Sequence, residues 1–104
     1  HPIAKIPHFD ALTKRGMRFN SADGTSPLCA PSRFSFMSGQ LISRRIAVYD
    51  NASQFKPSVP TFAHYLKSLE YKTCLSGKMH FVGPVQMHGF QDRVTTDIYP
   101  SDFP

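Results

Sequence analysis

The sequence predicts an α/β fold in which helices flank a mostly parallel sheet. Segments with helical and strand-like patterns alternate along its 104 residues, and such alternation is typical of parallel sheets covered by helices. The clearest helical pattern, at residues 60–70, is followed directly by a strand-like run at residues 71–81. A chain of this length has room for one small domain at most.

The first predicted helix covers residues 6–16. Phe9 and Leu12 supply its apolar side. Basic residues in the last turn and Gly16 at the end are typical of a helix C-terminus. Residues 17–22 follow as a predicted short strand.

A second helix is predicted to begin near Pro31 and to end at Gly39, because proline fits the first helical turn and glycine suits the end. The loop before it, residues 23–29, carries a cysteine as its last residue. Residues 41–60 show no clear period and contain two prolines near their end. We therefore expect residues 41–60 to form a surface loop.

The third helix, residues 60–70, has Thr61 as a candidate N-cap. Its apolar residues recur at helical spacing: Phe62, Leu66 and Leu69. Residues 71–81 predict a strand that runs into a loop broken by Gly77. No element is predicted for residues 82–104.

The composition restricts the function classes. A net charge of +5 can indicate nucleic acid or an anionic membrane as a partner, but the basic residues are dispersed, so we expect neither. No apolar run is long enough to span a bilayer and no signal-peptide pattern is present at the start. We expect a cytoplasmic location. The chain begins at His1 and stops at Pro104 in a polar, aromatic stretch, so we expect it to be a piece of a larger protein.

The two cysteines, Cys29 and Cys74, form neither a disulfide framework nor the paired spacing of a zinc site. Cys74 lies in an apolar extended run, where a buried and inert thiol is expected. Cys29 lies where the second helix begins, and there free N–H groups and the helix dipole favour an anion.

Arg33 strengthens the anion hypothesis for Cys29. One helical turn after the cysteine, its guanidinium can reach the same face and suits a tetrahedral oxyanion such as sulfate or phosphate. A capped helix with a buried cysteine and a surface arginine is the alternative. A cysteine-phosphatase loop is disfavoured, because too few residues separate Cys29 from Arg33 and Pro31 offers no N–H.

Lys78 and His80 form a second candidate group. In an extended segment residues two apart point to one side, and Gly77 lets the backbone bend before them. A fixed cation and an imidazole together can bind an oxyanion and protonate a leaving oxygen. A solvated pair is the alternative. The remaining histidines are expected on the surface or in packing: His1, His8, His64 and His88.

Together the two groups resemble the sulfatase family. "CAPSRFSFMSG" is similar to its first signature and "EYKTCLSGKMH" to its second, with Glu70 in place of a glycine. Within the family, "GTSPLCAPSR", "YDN", "PTFAHYL" and "GKMHFVGPVQMHGFQDRVTTDIYPSDF" most resemble choline sulfatases. The resemblance implies an alkaline-phosphatase-like α/β fold, with residues 1–104 as part of an N-terminal catalytic domain.

The resemblance also implies a chemistry for the named residues. A separate maturase would read Cys-x-Pro-x-Arg and oxidise Cys29 to formylglycine, whose hydrate attacks the sulfur of a small sulfate ester, most simply choline sulfate. Arg33 would hold the formylglycine, Lys78 and His80 would bind the sulfate and the leaving oxygen, and Asn51 would contact the sulfate. An enzyme of the same superfamily that cleaves phosphonate or phosphate esters is the near alternative. A non-catalytic module that binds anions or nucleic acid is the distant one.

A divalent metal, Ca²⁺ by the resemblance, is expected with residue 29 as one ligand in its formylglycine form. The acidic ligand pairs of the family have no match among the aspartates, which occur singly: Asp10, Asp23, Asp50, Asp92, Asp97 and Asp102. We therefore expect the other ligands to come from the rest of a sulfatase chain, and these residues alone to be inactive. Oligomerisation is left open.

Overall fold

The computed structural model describes residues 3–97, in which three α-helices, one π-helical turn and a two-stranded sheet are formed. In chain order they are α1 (Pro7–Arg15), α2 (Cys29–Ser38), the π-turn (Ile42–Ile46), α3 (Phe62–Ser68), β1 (Cys74–Leu75) and β2 (Asp92–Arg93). The two strands pair in parallel, with Cys74 opposite Asp92. The predicted combination of helices with a parallel sheet is therefore present on a small scale.

The first twenty residues differ from expectation in one respect. Helix α1 forms as predicted, although none of its residues is buried. The strand predicted at residues 17–22 is wrong: this segment forms no strand, and Met17 and Phe19 are exposed. A strand needs a hydrogen-bonded neighbour, and no described residue pairs with this segment.

Helix α2 is the central element of the core. Ala30, Phe34 and Met37 are buried along it. As predicted, it ends at Gly39, which takes the left-handed conformation (φ 66°) while its N–H bonds to the carbonyl of Ser35. This ending is the usual helix stop in which glycine avoids the steric cost of a side chain.

The segment at residues 41–60 contributes to the core, so the prediction of a surface loop is wrong for part of it. Four of its described side chains are buried: Ile42, Ile46, Val48 and Phe55. Phe55 stacks on Phe34 with ring centroids 4.6 Å apart, and Phe81 lies 6.0 Å from Phe34. This segment therefore packs against α2 and, through Phe55, against Phe81 in the chain after β1.

Helix α3 begins at the predicted cap. The Thr61 side chain and His64 form a reciprocal capping box, and the Thr61 hydroxyl also donates to the carbonyl of His88 at 2.6 Å. Ala63 is buried in the helix. The apolar residues at helical spacing remain exposed among the described residues: Phe62, Leu66 and Leu69.

The prediction of a buried cysteine on β1 is wrong, and β2 is a strand that was not predicted. Cys74 is exposed, not buried, because neighbouring strand residues point to opposite sides and Leu75 takes the buried side. The sequence did not predict β2, a strand of two residues that is too short to leave a pattern. Within residues 3–97 no helix is both long and apolar enough to cross a membrane.

Candidate functional site

The site is built around the first turn of α2. Cys29 is its first residue and is half-buried. The next backbone N–H, that of Ala30, donates to the side-chain oxygen of Asn51 at 3.0 Å. Asn51 thus satisfies one of the helix N–H groups that have no partner within the helix.

Lys78 connects the second candidate group to the first. Its ammonium donates to the sulfur of Cys29 at 3.6 Å. The guanidinium of Arg33 donates to the backbone carbonyl of Lys78 at 2.6 Å. The described contact of Arg33 is therefore with the segment that carries Lys78, and it fixes that segment against α2.

A cleft of about 250 Å³ opens beside the cysteine. Its lining consists of Ser26, Pro27, Leu28, Cys29, Ser32 and Arg33. Cys29 and Arg33 thus face one small solvent-accessible space at a helix N-terminus. A space of this kind, with Arg33 in its lining and the Lys78 ammonium 3.6 Å from the sulfur, suits an anion.

His80 is buried, with 1% of its surface exposed. Its Nε2 lies 3.0 Å from the backbone carbonyl of Asn51, and because a carbonyl only accepts, the proton belongs on Nε2 in this contact. Burial lowers the pKa of His80 from its usual value, and the charges of Lys78 and Arg33 add to this effect. The ring is therefore a neutral N–H donor near pH 7.

The structure brings the five predicted site residues together through two chains of contacts. One runs from Cys29 through Lys78 to Arg33. The other runs from the start of α2 through Asn51 to His80. The expected reason for the proximity of Lys78 and His80 was strand alternation, but this segment is not a strand and His80 has a positive φ of 63°.

The aspartates within residues 3–97 do not assemble into a metal centre. Among residues 3–97, no group of three or more His, Cys, Asp or Glu side chains could hold a metal ion. Asp102 lies outside the described residues. A divalent cation needs about six oxygen ligands or more, so the described residues do not fit a complete site for one.

The histidines outside the site have structural surroundings where the structure describes them. His8 is exposed and His64 caps α3. His88 is buried between Phe55 and Phe81, with ring centroids 4.8 and 4.4 Å away. His1 lies outside the described residues. The sequence did not predict the hydrogen bonds of Asn51 to Ala30 and His80 or the buried position of Asp97, since neither leaves a local pattern.

The family model described as Sulfatase matches residues 1–101 of this chain. The chain belongs to the sulfatase family. It is similar to a choline-sulfatase of Rhizobium meliloti (strain 1021), with 60% identity over 97 residues that cover 93% of this chain and 19% of that protein. It is also similar to a steryl-sulfatase of Mus musculus, with 34% identity over 73% of this chain and 14% of that protein.

A third similarity is to arylsulfatase K of Homo sapiens, with 28% identity over 90% of this chain and 18% of that protein. The chain thus spans less than a fifth of the length of these sulfatases. Membership of the sulfatase family implies an alkaline-phosphatase-like α/β fold, of which the described residues form a small parallel sheet with helices. The two motifs that resemble the sulfatase signatures meet at the first turn of α2, where Lys78 contacts Cys29.

Proposed function

We propose that this chain carries the nucleophile and part of the sulfate-binding groups of a sulfuric ester hydrolase. The observation that supports this most directly is the 3.6 Å contact between the Lys78 ammonium and the Cys29 sulfur at the start of α2. Choline sulfate is the proposed substrate, and its support is the similarity to a protein named choline-sulfatase.

The proposed nucleophile is formylglycine made from Cys29 by a separate maturase. The side chain –CH₂–SH becomes –CHO in a two-electron oxidation: water supplies the oxygen, hydrogen sulfide leaves, and an oxidant used by the maturase accepts two electrons and two protons. The motif that follows Cys29, with Pro31 and Arg33 at the family's spacing, is the proposed recognition sequence. Hydration of the aldehyde then gives a carbon with two hydroxyl groups.

In the proposed reaction one of these hydroxyl oxygens attacks the sulfur, and the bond from sulfur to the alcohol oxygen breaks. The alcohol leaves with a proton, and the sulfate is then attached to residue 29. The second hydroxyl loses its proton, the C=O bond forms again, and the bond from carbon to the sulfate oxygen breaks. Water restores the hydrate, so the sum is ester plus water to alcohol, sulfate and a proton.

Each nearby side chain has a proposed role that follows from its position. Lys78, which already contacts the residue-29 side chain, would bind a sulfate oxygen. His80 would turn its Nε2–H, which the Asn51 carbonyl accepts in this structure, to the leaving oxygen as negative charge develops there. Arg33 would hold the residue-29 hydrate through its place in the shared cleft, and the Asn51 amide would contact the sulfate.

A divalent cation, by family Ca²⁺, would supply positive charge beside the sulfate when bound. Residue 29 as formylglycine is the ligand that we propose from this chain. Since residues 3–97 contain no group of three ligating side chains, the remaining ligands are proposed to come from other residues of a sulfatase.

The test uses protein expressed with a maturase from the complete reading frame that encodes this chain. We expect release of sulfate from choline sulfate and slower reaction of an aryl phosphonate ester. Cys29→Ala should abolish turnover, and Lys78→Ala or His80→Ala should each lower kcat about 10²–10³-fold, the usual cost of one transition-state donor. Lys72→Ala, which removes an exposed surface ammonium, is the matched control.

Two results would contradict the proposal. Turnover that survives Cys29→Ala would remove the nucleophile. Faster reaction with the phosphonate ester than with any sulfate ester would instead favour the phosphonate hydrolase.

A further inference from the structure

Asp97 is a buried aspartate whose carboxylate binds the backbone on both sides of His80. One of its oxygens accepts hydrogen bonds from the backbone N–H of Met79 at 3.2 Å and from that of Phe81 at 3.0 Å. The same oxygen accepts a bond from the guanidinium of Arg93 at 2.8 Å. The Asp97 side chain is fully buried, and only 10% of the Arg93 side chain is exposed.

The two backbone groups that Asp97 holds belong to the residues on either side of His80. His80 itself has φ 63°, the left-handed region that favours glycine. Such a conformation persists in a non-glycine residue only where the surroundings determine it. Two N–H groups that converge on one anion form a backbone nest, and in this chain the anion is a side chain of the protein.

A second side chain holds the same segment through its carbonyl groups. The Gln86 amide donates to the carbonyls of Phe81 and Gly83, both at 2.8 Å. Arg93 donates to the carbonyl of Gln86 at 2.9 Å and to its side-chain oxygen at 2.7 Å. Asp97 therefore holds the N–H groups of this segment and Gln86 holds its carbonyl groups. Arg93 bonds to both of these side chains.

We propose that Asp97 is a positioning residue for His80: its carboxylate, neutralised by Arg93, holds residues 79–81 in the bend that carries the imidazole to Asn51. This inference rests on the proposed function, because it assumes that His80 contacts the reacting ester. Asp97 itself does not reach the cleft beside Cys29, whose lining lacks it. Its effect on the reaction passes through the backbone around His80.

A double-mutant cycle separates positioning from simple stabilisation. It compares Asp97→Ala in the wild-type background and in the His80→Ala background, in matured protein from the complete reading frame. Misplacement of a reacting group by about 1 Å costs on the order of 10²-fold in rate. We therefore expect Asp97→Ala to lower kcat about 10²-fold with a smaller change in KM, and to cause little further loss once His80 is absent.

Two further variants complete the experiment. Asp97→Asn keeps an acceptor oxygen for the two N–H groups and should retain more activity than Asp97→Ala. Asp92→Asn removes an exposed carboxylate that pairs with Lys72 at 3.2 Å, and it should leave kcat unchanged. If Asp97→Ala does not give folded protein, judged by its thermal unfolding midpoint, Asp97→Asn takes its place in the cycle under the same criteria.

The outcomes distinguish the inference from the function on which it rests. An equal loss of kcat from Asp97→Ala in both backgrounds, or no loss in the wild-type background, overturns the inference alone. Absence of sulfate release by the wild type overturns the proposed function and the inference with it. Full activity of His80→Ala overturns the proposed role of His80 and the inference that depends on it.

Discussion

At the scale of single residues, the two cysteines differ in their exposure and in the residues that follow them, and these features decide which of them a maturase converts. Cys29 is half-buried at a helix N-terminus, whereas Cys74 is exposed on β1. Only Cys29 is followed by Pro31 and Arg33 at the family's spacing. We expect co-expression with a maturase to convert Cys29 to an aldehyde while Cys74 stays a thiol.

An aldehyde-specific label followed by peptide mass spectrometry checks this expectation. Cys74 is a demanding internal control, because accessibility alone would favour its reaction. Label on Cys74, or on neither residue when the maturase is known to be active, would contradict the recognition of the motif. A Pro31→Ala variant should lower the converted fraction at Cys29.

The candidate site could be listed from the sequence but its arrangement could not. The motifs identify Cys29, Arg33, Lys78 and His80 because the residue types and spacings are local. The contacts that join them are not local: Lys78 reaches the Cys29 sulfur across 49 positions of the chain. The buried position of Asp97 depends on the same long-range folding, and no spacing around it predicts three bonds to one oxygen.

At the scale of elements, the close approach of α3 to the chain at Gly89 can be tested. Gly89 has φ 99°, and a Cβ placed on it would lie 2.6 Å from the His64 ring and 2.7 Å from the His64 backbone nitrogen. Gly89→Ala would therefore strain the backbone and push against the cap of α3. We expect it to destabilise the protein by about 1–3 kcal/mol, the range for strained backbone positions.

The matched control for Gly89 is Gly77→Ala. Gly77 also has a positive φ, 111°, but nothing lies within 4 Å of its added Cβ. Gly77→Ala should lower the stability only through backbone strain. The thermal unfolding midpoint should therefore fall less in Gly77→Ala than in Gly89→Ala. Equal midpoints for the two variants would mean that the contact with His64 contributes nothing.

Elements with strong local rules were predicted well, and those fixed by partners were not. The end of α2 at Gly39 and the cap of α3 at Thr61 follow from backbone and hydrogen-bonding rules that act within a few residues. The short strand β2 and the core role of residues 41–60 follow from pairing and burial against distant segments. Residues 17–22 show the converse, a strand-like pattern without a paired neighbour in the described residues.

At the scale of the whole molecule, His88 links stability to pH. Burial lowers its pKa from 6.5 to about 4, and its Nε2 has no hydrogen-bond partner among the described residues. Between these values the unfolded chain binds a proton that the folded chain does not. Stability from this group is therefore complete above about pH 6.5 and falls as the pH drops towards 4, by up to about 3 kcal/mol.

Thermal unfolding midpoints between pH 4 and pH 7 check the His88 effect. His88→Leu should lower the midpoint at pH 7 but flatten its dependence on pH relative to the wild type. The comparison of slopes removes the contribution of other groups that titrate in both proteins. Parallel slopes for the two proteins would show that His88 is not the group responsible.

The last prediction concerns the 104 residues as a unit: on their own they should not hydrolyse sulfate esters, even with residue 29 converted. Residues 3–97 hold no group of three metal-ligating side chains, so a catalytic cation would bind weakly. The chain is also expanded, with a radius of gyration of 16.5 Å against about 13 Å for a compact domain of this length. Large apolar side chains near its start are exposed, among them Phe9, Leu12 and Phe19.

The assay measures hydrolysis of choline sulfate by the converted chain with calcium, beside protein from the complete reading frame. Clear calcium-dependent turnover by the chain alone would mean that its aspartates assemble a metal site in solution that the described structure lacks.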